Sequence, residues 1–231
     1  MDHIRLSPRL QMVADFVPPC ACAADIGTDH GYLPVWLLQS GVIQSAIAAD
    51  IHAGPLANAR QSAAAYDLEE RFRFVQADGL QFSGAQAADV ITIAGMGGET
   101  ICTILAAAPW LREGRRLILQ PQSKAAELAD WLWSSGFTIE DAALCRDAGK
   151  RYLALRVLGQ TAAQTYTMEQ LLLRRRDPLL PEHLKEEIRR QKRARAGMAH
   201  AKQTPEAALA ALDARLSELE TCLKEVQSWQ P

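Results

Sequence analysis

At 231 residues the chain exceeds the usual size of one domain yet is too short for two large enzymatic ones, so one core domain with an appendage is expected. Hydrophobic residues make up 48% and charged residues 23%, a globular balance that excludes disorder of the whole chain. No run approaches the ~20 apolar residues of a bilayer-spanning helix, and Met1-Asp-His-Ile-Arg-Leu6 lacks an apolar signal core, so a cytoplasmic, non-membrane protein is expected. Cys20, Cys22, Cys102, Cys145 and Cys222 form no Cys-x-x-Cys pair; they read as reduced, mostly buried thiols, with neither a disulfide frame nor a metal site.

In chain order, Ser7 to Phe16 predicts a short helix with Ser7 as N-cap and Pro8 in its first turn, stopped by Pro18-Pro19. Apolar β-like runs then fall at Cys20 to Ile26, Ser45 to Asp50, Phe72 to Gln76, Asp89 to Ala94, Arg116 to Gln120, Phe137 to Leu144 and Tyr152 to Leu158. Helical segments separate them at Leu33 to Gln39, Pro55 to Ala65, Glu99 to Ala107 and Lys124 to Ser134, with Gly41 and Gly136 as stops. The last two strands are joined by a turn around Asp147-Ala-Gly-Lys150, too short for a parallel crossover. A seven-stranded, mostly parallel sheet with one antiparallel strand resembles the Rossmann-like class I methyltransferase fold, whereas a dinucleotide-binding sheet is parallel throughout.

Residues 1–159 are read as this domain and residues 160–231 as a helical one, beginning near Thr167 and interrupted at Asp177-Pro178 and Pro181. Leu209, Leu212, Leu216, Leu219, Leu223 and Val226 form a coiled-coil seam. Leu184, Ile188 and Met198 follow the same spacing in the helix before it, weakened by Gln191 and Arg195. A break at Gln203-Thr-Pro205, with Thr204 capping, permits an antiparallel hairpin; a dimeric coiled coil is the alternative, so both monomer and homodimer stay open. Net charge is −2, but Leu171 to Lys202 carries ten basic residues against four acidic ones, a local basic face in an acidic protein.

The most informative segment is the first strand-to-helix turn, Ala24-Asp-Ile-Gly-Thr-Asp-His-Gly-Tyr-Leu-Pro34, an acid-x-Gly-x-x-x-Gly pattern in which Gly27 admits close backbone approach. Gly-x-Gly-x-x-Gly spacing is absent, and Asp29 in the middle position disfavours a pyrophosphate. A sulfonium ligand with an amino-acid tail is instead complemented by Asp25 and Asp29. Asp50, ending the second strand, suits ribose hydroxyls, and Asp78, beside Gly79, an adenine amino group. Any one of these aspartates alone reads more readily as a helix cap; three at successive strand ends shift the balance toward a ligand. The fourth strand ends in Ala94-Gly-Met-Gly-Gly98, bare backbone that donor or acceptor can approach, or simply a tight turn.

Together with Leu6-Ser-Pro-Arg-Leu10, Ile93-Ala-Gly-Met-Gly-Gly98 and Leu119-Gln-Pro-Gln122, this loop resembles the bacterial tRNA (adenine-22-N1)-methyltransferase family, the TrmK-type enzymes. The resemblance covers nearly the whole chain, including the helical C-terminal third. The sequence departs from the family pattern at Gln122, where asparagine is common, and at Asp50, where glutamate is often seen.

The resemblance implies S-adenosylmethionine as methyl donor and N1 of an adenine in the D-arm region of tRNA as acceptor. The donor is expected against Arg9, Asp25, Gly27, Asp29, His30, Asp50, Asp78, Gly79, Ala94 and Gly95, and the acceptor against Gly97, Gly98 and Gln120. Adenine N1 is unprotonated at neutral pH, so positioning supplies most of the rate. Asp29 and the Gly95 to Gly98 turn are candidates for stabilising the charge that moves onto the base. Tyr32 is a candidate stacking platform for an unpaired base, or else packing; Arg9 suits a carboxylate or a phosphate. Arg189, Arg190 and Arg193 are expected on tRNA backbone. A small-molecule methyltransferase with a dimerising coiled coil and a non-catalytic RNA-binding scaffold are the competing readings.

Overall fold

The computed structural model describes residues 3–199 and 206–229. Its strands are β1 (Cys20–Ile26), β2 (Ile43–Asp50), β3 (Phe72–Gln76), β4 (Val90–Gly97), β5 (Arg116–Ser123), β6 (Thr138–Asp147) and β7 (Lys150–Leu158). They form one sheet in the order β3-β2-β1-β4-β5-β7-β6. Pairing is parallel from β3 to β5, while β7 runs antiparallel to both neighbours, β5 and β6. The predicted single antiparallel strand is therefore β7. Ala148 (φ 47°) and Gly149 (φ 77°) are both left-handed, as a two-residue hairpin turn twisted with its strands requires.

Four successive residues, Ala23 to Ile26, are buried in β1, so both faces of the sheet are covered there. The helices are α1 (Pro8–Ala14), α2 (Tyr32–Gln39), α3 (Ala53–Ala65), α4 (Gly98–Ala106) and α5 (Ala125–Ser134). Ser7 caps α1 as expected, its hydroxyl accepting from the Leu10 N–H at 3.4 Å. The five thiols are each half-buried rather than mostly buried, because they sit at strand ends and on helix flanks.

The chain divides into two compact units, Met1–Tyr166 and Thr167–Pro231. The segment after β7 stays with the first unit: the Thr138 hydroxyl donates to the Gln160 carbonyl (2.6 Å) and accepts from the Ala162 N–H (2.8 Å). Gly159 starts this segment where no side chain fits, since a Cβ there would stand 1.7 Å from the Leu111 carbonyl oxygen. Gly159→Ala is expected to cost at least about 2 kcal/mol. Urea unfolding should show a lower midpoint at an unchanged slope.

The second unit comprises α6 (Met168–Arg175), α7 (Leu180–Ala199) and α8 (Glu206–Gln227). Thr167 and Gln170 form a capping box on α6. Pro181 does not interrupt the helix as expected; it lies in the first turn of α7, where a missing N–H costs nothing. Ion pairs Arg195–Asp213 and Lys192–Glu220 (2.7 Å) run in opposite chain directions, so α7 and α8 pack antiparallel. Leu216, Leu219 and Val226 of the seam are buried, with Leu184 and Ile188 of α7. Met198 stays exposed. The expected break at Gln203-Thr-Pro205, the Thr204 cap and Lys202 lie outside the described residues. Glu169 of α6 is buried and accepts from Arg215 of α8 at 2.6 Å. No helix among the described residues is long and apolar enough to cross a membrane.

Candidate active site

Strand order reverses between β1 and β4, which creates a crevice at their carboxyl ends. The loop from Gly27 to Gly31 turns there through three left-handed residues, Gly27, Asp29 and Gly31, so that Asp29 pays a backbone strain few side chains tolerate. The Gly27 and Thr28 N–H groups donate to the Ala49 carbonyl (2.8 and 3.2 Å), which ties the loop to β2.

Asp25 is buried at the end of β1, where its Oδ1 accepts from the Thr92 hydroxyl at 2.7 Å. Burial pushes this carboxyl above the usual range, opposed by the Thr92 hydroxyl and reinforced by the Asp50 charge. The neighbouring Thr28 hydroxyl, also buried, faces the same carboxyl and opposes the rise as Thr92 does.

Two cavities adjoin at Gly27. One, of about 420 Å³, is lined by Asp50, Ile51, Asp78, Gly79 and Ile104 among others. Asp50 is half-buried and its Oδ1 accepts the His52 N–H at 2.9 Å, so it serves the turn into α3 while one oxygen stays available. Ile51, 52% exposed, offers an apolar wall beside it. The other cavity, of about 450 Å³, is lined by Arg9, Asp25, Thr28, Asp29, His30, Tyr32, Ala94, Gly95 and Gln122. Tyr32 is 42% exposed and its ring lies parallel to His30 (5.2 Å between centroids, 15°), with Asp29 3.8 Å from the imidazole.

All ten residues expected against a donor line one cavity or the other. The three expected against the acceptor base do not. Gly97 and Gly98 line neither cavity; Gly98 is buried against the Ser123–Lys124 backbone, with its absent Cβ 2.5 Å from the Lys124 carbonyl oxygen. Gln120 is fully buried. Its Oε1 accepts from Arg9 Nη1 (2.9 Å) and from the Gly95 N–H (3.2 Å), and its Nε2 donates to the Pro121 carbonyl (2.9 Å), so Gln120 seats Arg9 and the β4 turn. Arg9 is further fixed by its own N–H on Asp147 Oδ2 (3.3 Å) and by the Tyr152 ring under its guanidinium.

Thr28, Thr92, Ile51, Met96 and Gln122 complete the crevice without having been singled out as site residues. Thr28, Met96 and Gln122 each carried a signal, their places in the glycine loop, the Ala94-Gly-Met-Gly-Gly98 turn and the Leu119-Gln-Pro-Gln122 motif; Thr92 and Ile51 carried none.

A methyltransferase-domain family matches residues 6–155. A curated Bacillus subtilis tRNA (adenine(22)-N(1))-methyltransferase is 38% identical over 156 residues, 67% of this chain and 66%, just under two thirds, of that one. A solved Streptococcus pneumoniae structure, a candidate tRNA (m1A22) methyltransferase in complex with S-adenosyl-L-methionine, superposes with a TM-score of 0.76 at 30% identity, covering 95% of this chain and 100% of that one. The chain belongs to the bacterial tRNA (adenine-22-N1)-methyltransferase family. The Bacillus subtilis m1A22 tRNA methyltransferase TrmK, a solved member, aligns with 95% of the present chain and 99% of its own at 27% identity and a TM-score of 0.75. The family model and the curated relative match chiefly the first unit, while the two structural matches cover nearly all of both chains, so the likeness in fold extends over both units.

Proposed function

We propose that this chain transfers a methyl group from S-adenosylmethionine to N1 of an adenine, position 22 in the D-arm region, of tRNA in the cytoplasm. The observation that carries the reading is the convergence of Asp25, Asp50, Asp78 and a bare Gly27 on one crevice, in a chain 30% identical to a relative solved with that donor. The buried pair of Asp25 and Thr28 and the apolar wall of Ile51 and Ile104 fit a ligand that is polar at one end and aromatic at the other.

The donor supplies an electrophilic methyl on a positively charged sulfur. Asp50 accepts its ribose hydroxyls, Asp78 its adenine amino group, and Asp25 and Asp29 face the cationic end. Arg9, held by Gln120, meets a carboxylate or an RNA phosphate. On the acceptor side, Tyr32 with its His30 partner stacks an unpaired adenine, and Asp29 and the carbonyls at Gly95 stabilise the positive charge that develops on the base. No side chain need remove a proton before attack, because N1 carries a free lone pair at neutral pH.

In the helical unit, Arg190 is occupied by Glu187, Lys192 by Glu220 and Arg195 by Asp213. Lys185, Arg189 and Arg193 are exposed at four-residue spacing and make no ion pair among the described residues, so this stripe is the one we assign to phosphates.

Primer extension on unmodified tRNA transcripts, after incubation with labelled donor, tests the reaction, because a methyl on N1 blocks pairing. A stop at one D-arm adenine is expected. No transfer by a protein that binds S-adenosylhomocysteine would overturn the tRNA assignment.

Asp25 also gives a pH dependence. Its folded-state pKa is raised, so the native chain holds this proton more tightly than the unfolded one, and stability falls as pH rises from the ordinary carboxylate range through the raised value. A cationic donor favours the charged form, so donor binding should expel the proton and strengthen with pH over that window. Calorimetry in two buffers of different ionisation enthalpy reads the released proton, which Asp25→Asn should abolish.

A further inference from the structure

The two cavities meet at Gly27, and one side chain lies over it. Met96 lines the cavity of Asp50 and Asp78, Gly27 lines both, and the Met96 terminal methyl rests so closely on Gly27 that a Cβ there would stand 2.2 Å from it. A donor that reaches from Asp50 and Asp78 to Asp25 and Asp29 crosses this point.

The backbone is built to aim that side chain. β4 loses register with β5 on both sides of Met96, between Ala94 and Met96 and again between Met96 and Gly97, and Gly95 takes a left-handed φ of 81°. Such irregularities next to a crevice redirect a side chain away from strand alternation. The residue so directed is an unbranched thioether, whose rotatable bonds let it leave one packing position for another at little cost.

We infer that Met96 is a movable partition and a positioning residue: it closes the passage over Gly27 in the unliganded chain, swings aside as the donor settles, and then walls the path along which the methyl meets N1. This rests on the donor reading above. Because the passage opens only with the donor in place, the base finds its productive position after the donor and not before it. Part of the donor's affinity is spent on moving Met96, and part of the turnover depends on the wall that Met96 then forms.

The test uses the full chain carrying ¹³C-methyl methionine, titrated with S-adenosylhomocysteine. The Met96 methyl resonance, assigned by its loss in Met96→Leu, should shift on saturation, while those of buried Met12 and Met168 stay in place. Met96→Ala should bind S-adenosylhomocysteine about threefold to tenfold more tightly, having no displacement to offset. The same variant should lose at least about tenfold in kcat as the base loses its wall. A merely structural methionine would not move affinity and turnover in opposite directions. Saturation with Met96 unshifted overturns the partition and leaves the donor reading intact; absence of binding by the unsubstituted chain overturns both.

Discussion

Replacing Asp50 with alanine is expected to weaken S-adenosylhomocysteine binding about a hundredfold, since two hydrogen bonds to a charged acceptor are lost at ~1.5–3 kcal/mol each, less what water recovers. The fold should barely notice. Asp50 ends β2 half-exposed, and its carboxylate accepts from the His52 N–H in the turn to α3, a cap-like contact worth about 1 kcal/mol. Calorimetric titration beside a thermal melt separates the two effects. An affinity within twofold of the unsubstituted protein would remove Asp50 from the donor site and leave it as a turn residue.

The second large effect concerns salt. Lys185, Arg189 and Arg193, changed together to glutamine, should make the plot of log tRNA affinity against log salt shallower by roughly 2 to 3, because each phosphate contact contributes about 0.7 to 0.9 to the slope. Affinity near physiological salt should fall at least about tenfold in the same variant, with S-adenosylhomocysteine binding unaltered. Arg190→Gln is the contrast: its guanidinium already holds Glu187 with two donors, at 2.7 and 3.1 Å, and its loss should alter the slope far less. Equal losses from Arg190→Gln and from the triple variant would mean that the internal ion pairs yield to RNA, and that the whole helix rather than one stripe is the contact.

How much of this was legible in the sequence depended on the kind of signal. β1 and β3 end where expected, because Gly27 follows the first directly and Asp78-Gly79 follows the second one residue later. β4 and β5 run three residues beyond expectation: Ala94-Gly-Met-Gly97 reads as a turn by composition, yet it stays paired with Gln120 to Ser123 through a bulge. The crevice proposed for the donor could be assembled from the sequence because carboxylates at successive strand ends are a positional pattern. Gln120 could not, since nothing local tells a buried relay from an exposed contact; both need a polar residue after a strand. The pairing of Arg190 was available in principle, three residues from Glu187 on one helix, but a count of basic residues hides it. The aim of Met96 depends on a register shift between two strands, which no single strand encodes.

The seat of Arg9 has a consequence for how the enzyme comes into being. The arginine is made well before its anchors, since Asp147 at the hairpin tip lies 138 residues further along the chain and Tyr152 in β7 further still. A growing chain on the ribosome can therefore form the parallel strands and the glycine loop while Arg9 still has no fixed place. The crevice is finished only when the hairpin closes, and an unfinished copy has no complete site to offer a passing tRNA.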